Sequence, residues 1–190
     1  MLKTFIASAT ALACAFTASQ ASAADFTGPR IEAHVGYDNV SFGGFNQGGF
    51  AYGIGAGYDF AATPNLIIGI EVNADLASTN ITGSAGTITA KLDTKRDLSA
   101  LVRFGGKVSE NALLYVKVGY ANGRLSGSYI DTANPASNLT AADNGDGIRG
   151  GVGFEYAITP KAYAKVEYQY TNYESDFSRN QGLVGIGFRF

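Results

Sequence analysis

The chain predicts an all-β protein, an eight-stranded antiparallel up-and-down transmembrane barrel. Three observations carry this. Apolar residues recur at every second position in short runs, the connections between runs alternate strictly between short and long, and helical periodicity is almost absent from a chain with 25 glycines and no tryptophan. A strand's side chains alternate between two faces, so period two marks a sheet with two different surroundings.

The eight runs are RIEAHVGYD (30–38), FAYGIGAGYDF (50–60), LIIGIEVNADL (66–76), DLSALVRFG (97–105), LLYVKVGYA (113–121), GIRGGVGFEYA (147–157), AYAKVEYQYT (162–171) and GLVGIGFRF (182–190). The connections at Thr63-Pro64-Asn65, Gly105 to Asn111 and Thr159-Pro160-Lys161 are short. Those at 39–49, 77–96, 122–146 and 172–180 are longer and rich in Gly, Asn, Ser, Thr and Asp. Short turns at one end and long polar loops at the other are the pattern of a membrane-spanning barrel, with turns in the periplasm and loops outside the cell.

Ahead of the strands, MLKTFIASATALACAFTASQASA combines a basic residue, a short apolar run and the small-x-small site Ala21-Ser22-Ala23 followed by Ala24. The expectation is a signal peptide over residues 1–23, cleaved after Ala23, and a barrel domain over 24–190. Its polar residues break the run well short of the roughly 20 apolar residues a membrane helix needs. Cys14 also permits a lipoprotein leader, but apolar and small residues run past it to the Ala-Ser-Ala site. Removing these 23 of 190 residues leaves 167 with 13 basic and 16 acidic side chains and no cysteine. Neither sign of charge dominates, so nucleic acid is not an expected partner, and stability must come from something other than disulfides.

One face of the strands carries no charge: Ile31 to Tyr37, Tyr52 to Phe60, Ile68 to Val72, Leu98 to Phe104, Leu114 to Tyr120, Val152 to Tyr156, Val166 to Tyr170, and Val184, Ile186, Phe188 and Phe190, taking alternate residues. The other face mixes Glu32, His34, Asp59, Glu71, Arg103, Lys117, Arg149, Glu155, Lys165, Glu167 and Arg189 with glycine. Alternation alone also fits a soluble lipocalin-like barrel with the apolar face inward. The glycines favour the charged face inside, because an eight-strand interior is just wide enough for side chains to fill, and glycine on some strands makes room for long side chains from others. Aromatics at both ends of the apolar face, Tyr37, Tyr52, Tyr120 and Tyr170 against Phe60, Phe104, Tyr156, Phe188 and Phe190, form two girdles at interface depth. GAGYDFAATPNLIIGIE (55–71) also repeats as GVGFEYAITPKAYAKVE (151–167), which pairs Asp59 with Glu155 and Glu71 with Glu167 and puts two like hairpins on opposite walls.

The leader, the Gly-aromatic strands, LLYVKVGYA and the terminal VGIGFRF resemble the small outer-membrane β-barrel family that includes opacity-type surface proteins and OmpA-like and OmpX-like barrels of Gram-negative bacteria. The resemblance implies the cell outer membrane as location, and outer-membrane lipid and lipopolysaccharide as surroundings. It implies recognition by the outer-membrane assembly machinery through Val184, Ile186, Phe188 and Phe190, which accounts for a chain that closes on an aromatic strand. A monomer is expected.

The inward charges Glu32, Glu71, Arg103, Lys117, Arg149, Glu155, Lys165, Glu167 and Arg189 are expected to pair as a lumen network, since buried ions are costly unless paired. The alternative is a narrow ion path whose salt bridges rearrange. No enzyme is expected. In the resembling family one lipid-editing activity uses a His-x-Ser pair, whereas Gly36 follows His34 here. One histidine and no cysteine after the leader do not make an ordinary zinc site, DNGDG (143–147) misses the calcium-loop spacing, and GIGAG lacks the G-x-G-x-x-G pattern, so no cofactor is implied. Two functions remain: a structural surface protein with a plugged lumen and displayed loops, and a small diffusion pore, which eight strands disfavour against the 16 to 18 of porins. Phe42, Phe45 and Phe50 in the first loop are candidate contacts for an unidentified extracellular ligand, or an extension of the upper girdle.

Overall fold

Each alternating run forms a strand, and most strands continue past it. The computed structural model describes residues 25–190 apart from 43–44, 79, 87, 132, 135–137 and 175–176, so the leader with Ala21, Ala23 and Ala24 lies outside the described residues. The strands are β1 (Gly28–Phe42), β2 (Phe45–Thr63), β3 (Leu66–Ala77), β4 (Asn80–Ala85), β5 (Ile88–Ser109), β6 (Ala112–Asp131), β7 (Leu139–Ala157), β8 (Ala162–Tyr173) and β9 (Phe177–Arg189). All neighbours are antiparallel, and β1 pairs with both β2 and β9. β3 and β4 both pair with β5, so they are one barrel strand interrupted near Ser78, and the nine segments make eight walls.

Closure leaves no edge within the barrel, which is what lets strands cross a bilayer that offers no hydrogen bonds. Following the register once around from Glu32 leads through Gly55, Asn73, Ser99, Ala121, Gly147, Tyr173 and Phe177 back to β1 at Phe42, ten residues from the start. Stagger of this size tilts the strands strongly to the barrel axis, in the range of about 35–45°.

The short turns share one device. Thr63 Oγ1 accepts from the backbone N–H of Leu66 at 3.0 Å, and Thr159 Oγ1 accepts from that of Ala162 at 2.9 Å. Ser109 Oγ likewise accepts from Asn111 N–H at 3.3 Å. The repeated Thr-Pro pair is therefore a turn requirement, with a hydroxyl satisfying amides that the ladder leaves behind.

The other four connections differ from the expectation of long loops. β1 and β2 pair out to Phe42 and Phe45, β4 and β5 out to Ala85 and Ile88, β6 and β7 out to Tyr129 and Leu139, and β8 and β9 out to Tyr173 and Phe177. Most residues read as loop are strand, because a polar residue ends the apolar pattern without ending the ladder. β7 keeps β6 beside it to Leu139, whereas its pairing with β8 stops at Gly147. β4, β5, β6 and β7 thus continue as a protruding sheet, on the order of 25 Å along β7 at about 3.4 Å per residue.

Burial is inverted relative to a water-soluble barrel. Ile54 is 65% exposed and Ile186 66%, while Arg103 and Arg149 are wholly buried. Every outward residue of the sequence pattern is exposed or half-buried, Tyr37, Tyr52, Tyr120 and Tyr170 at one end and Phe60, Phe104, Tyr156, Phe188 and Phe190 at the other. The soluble, lipocalin-like alternative is excluded by this arrangement, since such an apolar belt needs a lipid surrounding.

Candidate functional site

The lumen is filled by two layers of ion pairs above an apolar floor. The floor is Phe26, contributed by the segment ahead of β1 and fully buried against Ile67, Leu113 and Ala157 at the short-turn end. The Arg189 guanidinium lies 5.4 Å from the centre of its ring and Lys107 Nζ 5.7 Å, both within cation–π range.

Above the floor, five carboxylates meet five cations. Arg30 donates from Nε to Asp59 at 3.0 Å, from Nη1 to Glu32 at 2.8 Å and from Nη2 to Glu71 at 2.6 Å. Lys117 Nζ stands 2.7 Å from Glu71 and 2.8 Å from Glu167. Lys165 pairs with Glu32 and, at 3.5 Å, with Glu167. Arg103 donates to Glu155 at 2.8 Å, and Arg189 joins Glu155 to Asp59, the latter at 3.3 Å. Tyr115 Oη donates to Glu167 at 2.6 Å and Tyr163 Oη to Glu32 at 2.8 Å.

The internal repeat acquires a physical meaning here. Its equivalent carboxylates face each other across the lumen, and cations bridge each pair: Arg189 and, 3.8 Å from Asp59, Arg103 between Asp59 and Glu155, and Lys117 between Glu71 and Glu167. Glycines make the space. A Cβ on Gly153 would stand 2.3 Å from the Tyr115 ring, and one on Gly187 would stand 2.1 Å from the Tyr163 ring.

Nearer the loop end, three aspartates meet two arginines. Arg179 donates to Asp38 and to Asp97, both at 2.6 Å. Arg149 donates to Asp97 at 2.6 Å, to Asp75 at 3.3 Å and to Thr171 Oγ1 at 2.8 Å, while Tyr173 Oη donates to Asp97. His34 Nε2 lies 2.7 Å from the other Asp75 oxygen. Desolvated charges of this kind hold only when their partners are in reach, and here each carboxylate has at least one.

Of the sequence-predicted lumen residues, Glu32, Glu71, Arg103, Lys117, Glu155, Lys165, Glu167 and Arg189 sit in the lower layer, and Arg149 sits in the upper one. Arg30 and Asp59 complete the lower layer, and Asp38, Asp75, Asp97, Arg179 and His34 complete the upper. His34 and Asp59 lie within their runs on the face already read as inward, and the others stand at the ends of the runs or beyond them. Strict parity from Glu32 and His34 to Asp38, or from Glu71 to Asp75, finds them once the strand is allowed to outlast the apolar band. Phe50 is 73% exposed on the outward face one step beyond Tyr52. Phe42 and Phe45 are register partners at the hairpin tip, and their side chains lie outside the described residues. Val184, Ile186, Phe188 and Phe190 all face outward on or just past β9, which closes the barrel against β1.

A closed antiparallel barrel with an apolar exterior, two aromatic girdles and a charged interior defines a transmembrane β-barrel of the outer-membrane class. Residues 8–190 match the model of the outer membrane protein beta-barrel domain, and the chain belongs to that family. It is an outer-membrane protein, with the short turns periplasmic and the protruding sheet extracellular. Over 133 residues, 66% of the chain, it is 32% identical to the 31 kDa outer-membrane immunogenic protein of Brucella melitensis, and it spans about half, 54%, of that relative's length. The same identity and coverage relate it to the protein of that name from Brucella suis. Among solved structures, Ail, the attachment invasion locus protein of Yersinia pestis, superposes with a TM-score of 0.58 at 15% identity over 86% of this chain and 99% of that one. Neisserial surface protein A superposes with 0.59 at 16% identity over 86% and 98%. At these identities the likeness is one of fold.

Proposed function

We propose that this protein is a plugged surface barrel: a structural, non-enzymatic component of the outer membrane that meets other molecules through its extracellular sheet. The observation that carries the reading is the pair of ion networks stacked across the lumen, in which Arg30, Lys117 and Arg149 each tie together carboxylates from different walls. A path for ions would require several of these contacts to break together in a low-dielectric interior, where uncompensated charge is expensive. β4 to β7 supply a contact surface held on a rigid ladder. Two comparisons support a surface role. The curated relatives are named immunogenic, and Ail has been crystallised with a heparin analogue.

The second reading, a small diffusion pore, is tested by the same experiment. Refolding into planar bilayers, verified by a gel mobility that changes on boiling, is expected to leave the membrane silent. Reproducible conductance steps that shift in Glu71→Gln would instead make the lumen a narrow pore. Export with cleavage after Ala23, and delivery to the assembly machinery through the β9 face ending at Phe190, belong to the same proposal. N-terminal sequencing of the outer-membrane form, and membrane yield of Phe190→Ala, test them.

A further inference from the structure

The cations of this chain are divided unevenly. It has 14 Lys and Arg, of which Lys3 belongs to the leader stretch. Seven line the lumen, namely Arg30, Arg103, Lys117, Arg149, Lys165, Arg179 and Arg189. Lys107 and Lys161 stand at the periplasmic end. The remaining four, Lys91, Lys95, Arg96 and Arg124, all lie on the extracellular parts of β5 and β6. Apart from the lumen arginines Arg149 and Arg179, no other strand has Lys or Arg in its extracellular part.

Register brings two of them side by side. Thr94 pairs with Leu125 and Asp97 with Gly123, so Lys95 and Arg96 together oppose the single residue Arg124. Two residues against one is a bulge, a device that re-aims side chains. Arg96 pairs with Leu76 of β3, which is outward and 45% exposed, and Arg124 lies two steps beyond outward Tyr120 on its strand. Both arginines are exposed, and neither forms an ion pair among the described residues. The outward carboxylate on the next strand, Asp146, is engaged by Tyr120 Oη at 2.5 Å and Asn122 Nδ2 at 2.6 Å.

Depth selects the ligand. Arg124 is four residues past girdle residue Tyr120, about 10 Å higher on a strand tilted by about 40°. Long arginine side chains reach back toward the interface from that height. A lipid phosphate lies at the level they reach, and the planar guanidinium matches phosphate oxygens in bidentate fashion. We infer that Arg96 and Arg124, at the β5–β6 bulge, bind the phosphate groups of lipopolysaccharide in the outer leaflet and anchor this side of the barrel to it.

The inference rests on the outer-membrane location and the outward face of the strands, so the conductance result leaves it untouched. It is tested by unfolding the protein in urea, followed by gel mobility, in phosphatidylcholine vesicles with and without bisphosphorylated lipid A. With roughly 1 kcal/mol per basic residue near an anionic surface, two arginines should slow wild-type unfolding about tenfold or more when lipid A is present at low salt, and high salt should erase the gain. Arg96→Gln/Arg124→Gln is expected to keep the rate in phosphatidylcholine and lose most of the gain. Arg96→Lys/Arg124→Lys should retain part of it, and Lys107→Gln/Lys161→Gln all of it. An equal gain in the glutamine variant, or an equal gain from dephosphorylated lipid A, overturns the proposal. Slowing in phosphatidylcholine vesicles by sucrose octasulfate or inorganic phosphate equal to that by lipid A overturns it too, since the patch would then serve a soluble anion. If the glutamine pair does not fold, the single variants Arg96→Gln and Arg124→Gln, each expected to lose part of the gain, decide the matter.

Discussion

The two halves of the lumen solve the same problem differently. In the periplasmic half five carboxylates face five cations, and the bridging residues Arg30, Lys117 and Arg189 each reach two or three acids. In the extracellular half three aspartates share two arginines, and hydroxyls of Thr171, Ser99 and Tyr173 with His34 complete the set. The lower layer is balanced in charge and cross-braced between opposite walls, so removing one bridging cation loosens carboxylates on two walls at once. The upper layer has one arginine fewer than its aspartates, and both of its arginines meet at the single carboxylate of Asp97. The lower half should therefore carry the rigidity of the plug, and the upper half should tolerate change.

The sharpest test of that contrast is Lys117→Met, which takes one cation from both Glu71 and Glu167 in the dry lumen and leaves them Arg30 and Lys165. Breaking a buried pair by removing one partner costs about 3–5 kcal/mol. Equilibrium urea unfolding in vesicles should show a loss of that order, with partial recovery when Glu71→Gln is added. Next in size is the floor. Phe26→Ala removes a fully buried ring, at a cost of about 3 kcal/mol. It should also expose a cysteine placed at Leu113 to a membrane-impermeant thiol reagent, whereas that cysteine stays protected beneath an intact Phe26.

Gly187→Ala sharpens the comparison from the packing side. The new Cβ displaces the Tyr163 ring and with it the hydroxyl that donates to Glu32. Overpacking of this kind costs about 1–3 kcal/mol, and Gly187→Ala/Tyr163→Phe should be no worse than the single change. The smallest effect is expected in the upper layer. Arg179→Met leaves Asp97 with Arg149 and Tyr173 but takes the Arg179 contact from buried Asp38, so a loss of about 1–3 kcal/mol should be seen, below that of Lys117→Met in the same titration. An upper-layer variant as damaging as the lower one would erase the distinction.

Much of this was legible in the residues. The alternation assigns Ile54, Val116 and Ile186 to one face and Glu32, Lys117 and Glu167 to the other, and the Thr-Pro pairs mark two of the three turns. The length of the strands was not legible. Gly-, Ser- and Asn-rich stretches such as 122–131 read as loop, yet they are held in the ladder by pairing with β5 and β7. The break at Ser78 and the bulge at Lys95-Arg96 leave no local mark either, since both are defined by the strand opposite. Phe26 belongs to no periodic run, and its place under the lumen depends on where β3, β6 and β7 end.

By itself, then, the sequence determined the fold class and the two faces, because the two-residue period of a strand is a local property of the backbone. Which cation meets which carboxylate was decided by the tertiary structure. Lys117 lies between Glu71 and Glu167, which stand 46 residues before it and 50 after it on separate walls. That meeting depends on the ten-residue stagger that closes the barrel, which tilts the strands and brings residues of unrelated register to one height.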